Sequence, residues 1–168
     1  MGMIANYQYI SDENLKELKL FNTEEDEIIE EIEDWNEDAE TLLDIDKMWD
    51  TLHFILTGVS SDKPIKNNPL SEAVVGVINI EGVDEFIAYT EKTRIADIVS
   101  ALENFDIEDA LEKCTMKMFK EADLYPDIWG YEEEEDEIKE EITDYFQNMK
   151  DFYKEILEVN GNVLVTIY

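Results

Sequence analysis

The chain has 168 residues, of which 44% are apolar, and its 44 acidic and 13 basic side chains give a formal net charge of −31. A surface this negative repels the phosphates of DNA, RNA and anionic membranes, so we expect no direct nucleic-acid binding and no membrane binding. The apolar content is too high for a disordered chain and predicts one packed domain over residues 1–168.

The N-terminal part is predicted to form a strand followed by two helices. Met3–Ile10 is rich in strand-forming residues and alternates roughly between two faces. Ser11 fits the N-cap of a short helix. Thr23 fits the N-cap of a second helix, with Glu24 and Glu25 in its first turn, where carboxylates favour the positive end of the helix dipole.

The middle of the chain is predicted to contain a helix, a loop and two strands. The helix runs from about Asp46 to Leu56, and Gly58 fits its C-terminal end. Proline, asparagine and serine mark residues 59–70 as a loop. Residues 73–80 (AVVGVINI) and 86–90 (FIAYT) are predicted to be strands.

The C-terminal half is predicted to be mainly helical. Thr90 is predicted to cap a helix that reaches Asn104, and Asp106 and Thr115 to cap two shorter ones. Apolar residues spaced three and four apart from Ile138 to Leu157 predict a long amphipathic helix. The apolar run in residues 162–168 predicts a final strand that is buried on both faces.

These elements predict an α/β or α+β class. We expect a single-domain layered sandwich with a mixed sheet, strands at both ends of the chain and about six helices. Met1–Ile10 lacks the basic segment and long apolar run of a signal peptide, which favours a cytoplasmic location. The single cysteine, Cys114, can form no internal disulfide.

His53 is the only histidine and the first candidate for chemistry. Asp50 precedes it by one helical turn, and an Asp–His pair is the usual arrangement of a general base, so both are catalytic candidates. Trp49 shares the face of His53, and Thr57 follows one turn later. The surrounding run is apolar, however, which favours a packed, hydrogen-bonded core histidine. No serine nearby (Ser60, Ser61 or Ser71) lies in a G-x-S-x-G nucleophile motif.

The sequence "LYPDIWG" (residues 124–130) is predicted to be an aromatic loop around Pro126. Tyr125 and Trp129 could complete a ligand or partner pocket with Trp49, His53 and Thr57, or fold back as a lid over the core. The chain has no glycine-rich phosphate loop and no histidine or cysteine cluster, so we expect no metal and no cofactor.

Two acidic segments could form one electrostatic face. Residues 20–46 contain thirteen acids and no basic residue, and residues 132–137 are six consecutive acids. Such a face could attract a basic protein partner. In the simpler interpretation, the acids at the helix start interact favourably with the helix dipole and keep the protein soluble. The candidate surface residues are Glu24, Glu25, Glu31, Glu132, Glu133, Glu134 and Glu135.

The whole chain resembles the YfbM-like family, a bacterial domain of unknown function. The resemblance rests on an ordered set of short segments: "MGMI", "LHFILTG", "NNPLS", "YT" before a capped helix, "LYPDIW", "FY" late in the last helix and "VLVTIY". It implies a single α/β domain of layered sandwich type and supplies no catalytic mechanism. "AYTEKT" (residues 88–93) departs from the "YLTPEE" of many relatives.

Two functions therefore stand as hypotheses. The favoured one is an acidic, non-enzymatic protein-binding module of the inhibitor or immunity type. It predicts that acids of both segments lie on one face. The alternative is a small-molecule or hydrolytic site formed by Trp49, Asp50, His53, Tyr125 and Trp129, which requires an accessible His53 ring. The oligomeric state cannot be derived from the sequence.

Overall fold

The structure, a computed structural model, describes residues 2–21 and 25–168, and only the backbone of residues 25 and 26. Its helices are α1 (Asp12–Leu20), α2 (Glu25–Asp38), α3 (Trp49–Thr57), α4 (Pro69–Val75), α5 (Lys92–Glu103), α6 (Ile107–Glu112), α7 (Met116–Glu121) and α8 (Glu135–Glu158). A 3-10 turn (Glu132–Glu134) precedes α8. The strands are β1 (Ala5–Ile10), β2 (Leu42–Asp44), β3 (Ile78–Asn79), β4 (Phe86–Thr90) and β5 (Asn162–Ile167).

The five strands form one sheet in the order β2-β1-β5-β4-β3. Each pair is antiparallel, and the longest pairing joins β1 to β5, from Ala5 opposite Ile167 to Ile10 opposite Asn162. The sheet is therefore antiparallel where the sequence predicted a mixed one. The mixed sheet was expected because a helix between two strands usually makes them parallel. Here two or more helices separate most consecutive strands, so the helices do not determine the strand direction.

Helices cover both faces of the sheet and give the expected layered sandwich. One core contains Ile10, Ile87 and Leu164 with the inner side chains of α1 and α2. The other contains Val163 and Val165 with side chains of α3 to α8. Alternate residues of β5 thus enter different cores, which explains why every residue of the strand is buried and why its centre, Val163–Val165, is apolar.

Several helix boundaries follow the predicted capping residues. The Oγ of Ser11 accepts a hydrogen bond from the N–H of Asn14 at the start of α1. Asp106 and Thr115 cap α6 and α7 in the same way. Gly58 ends α3 in the left-handed conformation, with φ of 85°. The predicted cap Thr23 lies outside the described residues.

The prediction of a strand over residues 73–80 was wrong in its first half. Asn68 caps a helix there, its Oδ1 accepting from the N–H of Leu70 at 3.0 Å, and Pro69 occupies the first turn. Ala73–Val75 belong to this helix, α4, and only Ile78–Asn79 pair as a strand. Because α4 is buried almost all round, its sequence has no periodicity that distinguishes helix from strand.

Thr90 was also wrongly predicted to be a helix cap. It is the last residue of β4, and the side chain of Asn162 takes the capping role, accepting from the N–H of Lys92 at 2.8 Å. Asn162 is the first residue of β5, 70 positions further along the chain. A cap supplied from so far away cannot be recognised from local sequence.

Candidate functional site

His53 lies on α3 with none of its surface exposed. Its Nδ1 is 2.8 Å from the carbonyl oxygen of Val59, and its Nε2 is 2.8 Å from the Oγ of Ser71. A carbonyl oxygen can only accept, so Nδ1 carries the proton and Nε2 presents a lone pair. Ser71 therefore donates its hydroxyl hydrogen to His53.

Burial lowers the pKa of His53, and the hydrogen bond to Val59 and the charge of Asp50 oppose that shift in part. The imidazole is consequently neutral near pH 7. Thr57 donates its hydroxyl to the carbonyl of His53 at 2.7 Å, which adds a local link at the end of α3. The ring thus joins α3 to the following loop and to α4, and it is closed off from solvent.

Asp50 does not form a direct hydrogen bond with His53. Its Oδ1 accepts from the Oγ of Ser60 (3.0 Å) and from the N–H and Oγ of Ser61 (2.9 and 2.7 Å). Its Oδ2 accepts from the N–H of Tyr125 at 2.8 Å. Asp50 is 5% exposed, so this buried carboxylate holds two loops against the start of α3.

The predicted aromatic residues pack against the core and the N-terminal segment. Trp49 and Tyr125 stack with ring centroids 5.2 Å apart. Both bond to Met3: the Trp49 Nε1 donates to its carbonyl at 3.1 Å, and the Tyr125 hydroxyl accepts from its N–H at 2.7 Å. Trp129 is 3% exposed and donates to the carbonyl of Leu124 at 3.0 Å. These aromatic side chains therefore pack over the core, which is the second of the two arrangements considered for them.

A cleft that Ser71 helps to line lies instead beside the edge strand β3. We call it the β3 cleft. Its volume is about 340 Å³, and loop 61–67, α4, β3 and β4 form its walls. The lining residues are Ser61, Pro64, Ile65, Lys66, Asn67, Ser71, Glu72, Val75, Gly76, Val77, Asn79 and Phe86. A smaller hollow of about 200 Å³ adjoins it and shares Asn67, Glu72 and Val77.

Two buried tyrosines form hydrogen bonds to α4, the helix that forms one side of this cleft and is its floor. The hydroxyl of Tyr7 donates to the carbonyl of Val74 at 2.6 Å, and that of Tyr153 to the carbonyl of Ala73 at 2.7 Å. The last carbonyls of a helix have no partner within the helix, so these hydroxyls satisfy the C-terminal end of α4. Burial raises the pKa of both tyrosines, which keeps them protonated as donors.

An ion pair lies where the two hollows meet. Glu72 on α4 has a side chain that is only 8% exposed, and its Oε1 is 2.6 Å from both Nε and Nη2 of Arg94. The Nη1 of Arg94 donates to Asp97 at 2.8 Å. Hydrogen bonding to Glu72 is the main cause that raises the pKa of Arg94. Glu72 was not found from the sequence; its one local signal is the capped start of α4 at "NNPLS".

The acidic helix α2 and the acidic start of α8 do not share a flat face. α2 packs on one side of the sheet and α8 on the other. Of the predicted surface residues, Glu31 is half-buried on α2. Glu24 and the side chain of Glu25 lie outside the described part of the chain.

Acids from α2 do, however, reach one end of the sheet. Burial raises the pKa of Tyr168, and the nearby charges of Glu33 and Glu85 raise it further. Tyr168 follows β5, and its carbonyl accepts from the N–H of Ile4 just before β1. The exposed Glu33 of α2 is therefore near enough to Tyr168, which follows β5, for its charge to act on the tyrosine hydroxyl.

Acids from β2 and α8 reach the same end. Burial raises the pKa of Tyr145 on α8. Its hydrogen bond to Glu141 (3.0 Å) and the nearby charges of Asp46 and Asp44 raise that pKa further. The carbonyl of Asp46 accepts from the N–H of Ala5 at 3.0 Å, next to Ile4. This end therefore collects carboxylates from three elements.

We call this group of carboxylates the acidic end, formed by Glu33, Asp44, Asp46 and Glu141. The predicted residues Glu132, Glu133 and Glu134 are exposed in the 3-10 turn before α8. Glu135 forms an ion pair with Lys139 at 2.9 Å. Among residues 2–21 and 25–168, no group of three or more potential ligands is placed to hold a metal ion, and no helix is long and apolar enough to cross a membrane.

Comparison with known proteins agrees with this architecture. A family model described as "Domain of unknown function (DUF1877)" matches residues 1–166. Protein YfbM of Escherichia coli (strain K12) is 32% identical over 168 residues, which cover 99% of each chain. "The Crystal Structure of a Protein of Unknown Function YfbM from Escherichia coli" matches with a TM-score of 0.80 and 30% identity over 98% of this chain and 99% of that one. The resemblance found in the sequence and the layered α/β fold are thereby confirmed.

Proposed function

The chain belongs to the family described as Domain of unknown function (DUF1877), and from that premise we propose that it is a non-enzymatic binding module for a basic protein. The proposal covers inhibitor-type and immunity-type binding. Its contact surface is the acidic end. The observation that carries it is that acids of β2 and α8 lie near the start of β1: Asp44 is paired opposite Asn6, the carbonyl of Asp46 accepts from Ala5 at 3.0 Å, and Glu141 accepts from Tyr145 at 3.0 Å.

The local charge there is strongly negative. Glu33, Asp44, Asp46 and Glu141 carry four negative charges there, and Lys47, which follows Asp46 and packs its stem against Gly2, supplies one positive charge. Exposed charges of one sign act together over about 10 Å at moderate ionic strength. A basic protein would therefore be attracted and oriented before contact, which raises its association rate more than its final affinity.

The alternative hypothesis of a hydrolytic site around His53 has weaker support. The ring is fully buried, Asp50 is committed to other partners, and Trp49, Tyr125 and Trp129 are engaged in packing. A general base has to reach the proton that it removes, directly or through one water. These observations favour a structural role for that cluster and leave the binding module as our proposal.

The test is a titration of ¹⁵N-labelled protein with lysozyme, a small folded protein of net positive charge, at low and moderate salt. Amide shifts are expected to concentrate at the acidic end and to weaken as salt is added. A triple variant, Glu33→Gln, Asp44→Asn and Glu141→Gln, removes three exposed charges from that end. Each exposed pair contributes roughly 0.5 kcal/mol, so the affinity should fall about tenfold.

A matched control removes three exposed carboxylates elsewhere, through Glu108→Gln, Glu112→Gln and Glu121→Gln on or beside α6 and α7. Each variant loses three negative charges, although Glu121 of the control is also paired with Lys117 at 3.8 Å. The control is expected to change the affinity by about twofold or less. Equal weakening by both variants, or shifts spread evenly over the surface, would mean that the charge only keeps the protein soluble.

A further inference from the structure

A second, independent site is indicated by the β3 cleft. We propose that it binds a small ligand in which a primary amine is joined to an apolar ring by a short chain. The argument rests on which groups line the cleft, which of their hydrogen-bonding positions are already occupied, and how much space remains.

Ser71 offers the cleft an acceptor and no donor. Its hydroxyl hydrogen is committed to the Nε2 of His53 at 2.8 Å. One lone pair of its oxygen accepts from the N–H of Ile65 at 3.0 Å. A hydroxyl oxygen has two lone pairs, so one acceptor position is left, and Ser71 lines the cleft. The buried histidine thus fixes the polarity of a residue on the cleft floor.

Glu72 offers a second acceptor next to it. Both close contacts from Arg94 go to Oε1, and no described residue makes a hydrogen bond to Oε2. Arg94 is shared with Asp97, so it neutralises Glu72 only in part. A carboxylate with a side chain 8% exposed and one oxygen unoccupied favours a charged donor. The Oε2 of Glu72 is therefore the position assigned to the ammonium group.

The walls of the cleft suit an apolar body. Pro64, Ile65, Val75, Val77 and Phe86 supply them. A cavity of about 150 Å³ holds a benzene ring, so about 340 Å³ has room for a ring with a short aliphatic chain. Ligand sites generally combine such walls with a few placed polar groups.

The charge of the whole protein also favours a cation. A net charge of −31 raises the local concentration of small cations at the surface. Lys66 lines the cleft as well, but it is exposed, and its long stem allows the ammonium group to remain in water. The polarity of the floor is therefore set by Ser71 and Glu72.

Two probes with the same phenylethyl body and opposite charge test this inference: 2-phenylethylamine and 3-phenylpropionate. Each is titrated into ¹⁵N-labelled protein, and the amide shifts of Asn67, Ser71 and Val77 are followed. The amine is expected to bind at least tenfold more tightly than the acid, with its largest shifts at these three amides. Equal binding of both probes, or amine shifts confined to other surfaces, would overturn the proposal.

Variants separate binding in the cleft from general attraction to a negative surface. Val77 is 43% exposed, so Val77→Trp can fill the cleft without disturbing the core, and it should abolish the amine shifts. Val159→Trp, at a valine 57% exposed that does not line the cleft, is the matched control and should bind like the wild type. Unchanged binding by Val77→Trp would refute the site.

Glu72→Gln should weaken amine binding about tenfold. If Glu72→Gln unfolds because its ion pair with Arg94 is lost, Val77→Trp still decides whether the cleft binds the amine. The result does not depend on the proposed function. The acidic end is tested by lysozyme and by changes to Glu33, Asp44 and Glu141, none of which lines the β3 cleft. Either proposal can fail while the other stands.

Discussion

Removing the carboxylate of Asp50 is expected to destabilise the fold strongly. Four hydrogen bonds end on it, two of them from the backbone N–H groups of Ser61 and Tyr125. A hydrogen bond to a charged group contributes about 1.5–3 kcal/mol, and the two serine hydroxyls can turn to water instead. We therefore expect Asp50→Ala to lower the free energy of unfolding by about 3–4 kcal/mol, chiefly through the two amides.

Urea unfolding followed by tryptophan fluorescence measures this loss by linear extrapolation. Asp50→Asn keeps one acceptor oxygen but turns an NH₂ group toward a donor, so it should cost about 2 kcal/mol. Asp62→Ala is the control, since Asp62 is an exposed acid in the same loop, and it should change stability by about 0.5 kcal/mol or less.

Hydrogen exchange supplies the local measurement. In Asp50→Ala the amides of Ser61 and Tyr125 should exchange much faster, even under conditions where the rest of the fold is protected. A loss of stability below about 1 kcal/mol, with both amides still protected, would show that the loops are held by other contacts and that the reasoning is wrong.

Three further outcomes are expected. The fold lowers the pKa of His53, so the unfolded chain takes up a proton first, and the free energy of unfolding should fall below about pH 6.5 by up to about 1.4 kcal/mol per pH unit. His53→Gln should lack this part of the pH dependence. If the free energy of unfolding of the variant and of the wild type fell equally with pH, the explanation would be refuted. Thr90→Val should raise stability by about 1 kcal/mol in urea unfolding, because the buried Oγ1 of Thr90 has no hydrogen-bond partner among the described residues; a loss would contradict this. Burial raises the pKa of Cys114, so a thiol reagent should modify the native protein far more slowly than the urea-unfolded chain, and equal rates would refute that.

Local sequence signals predicted the parts of the fold that depend on local physics. Ser11, Asp106 and Thr115 cap helices because a short polar side chain can reach an unpaired N–H two or three residues ahead. The long helix α8 was recognised because only one of its sides is buried. The three residues of β2 were not predicted, since they form a strand only through pairing with β1.

The site was less predictable, because its contacts join distant parts of the chain. The spacing of Asp50 and His53 indicated a pair on one face of α3, but the loops that bind the Asp50 carboxylate are positioned by tertiary packing. The same holds for Glu72, whose partner Arg94 is 22 residues away on α5. Sequence spacing indicates which side chains can meet within a helix, and it carries no information on what a folded loop brings to them.

The position of β5 has a consequence for how the protein is made. This strand follows all the other elements in chain order, yet it lies between β1 and β4 in the sheet. Until it leaves the ribosome, β1 with β2 and β4 with β3 have no strand to join them, and each pair presents an open edge. At roughly 5–20 residues per second, β1 waits about ten to thirty seconds for its partner. Open edges are sites of strand exchange between chains, so the nascent protein is most prone to misassociation just before β5 emerges.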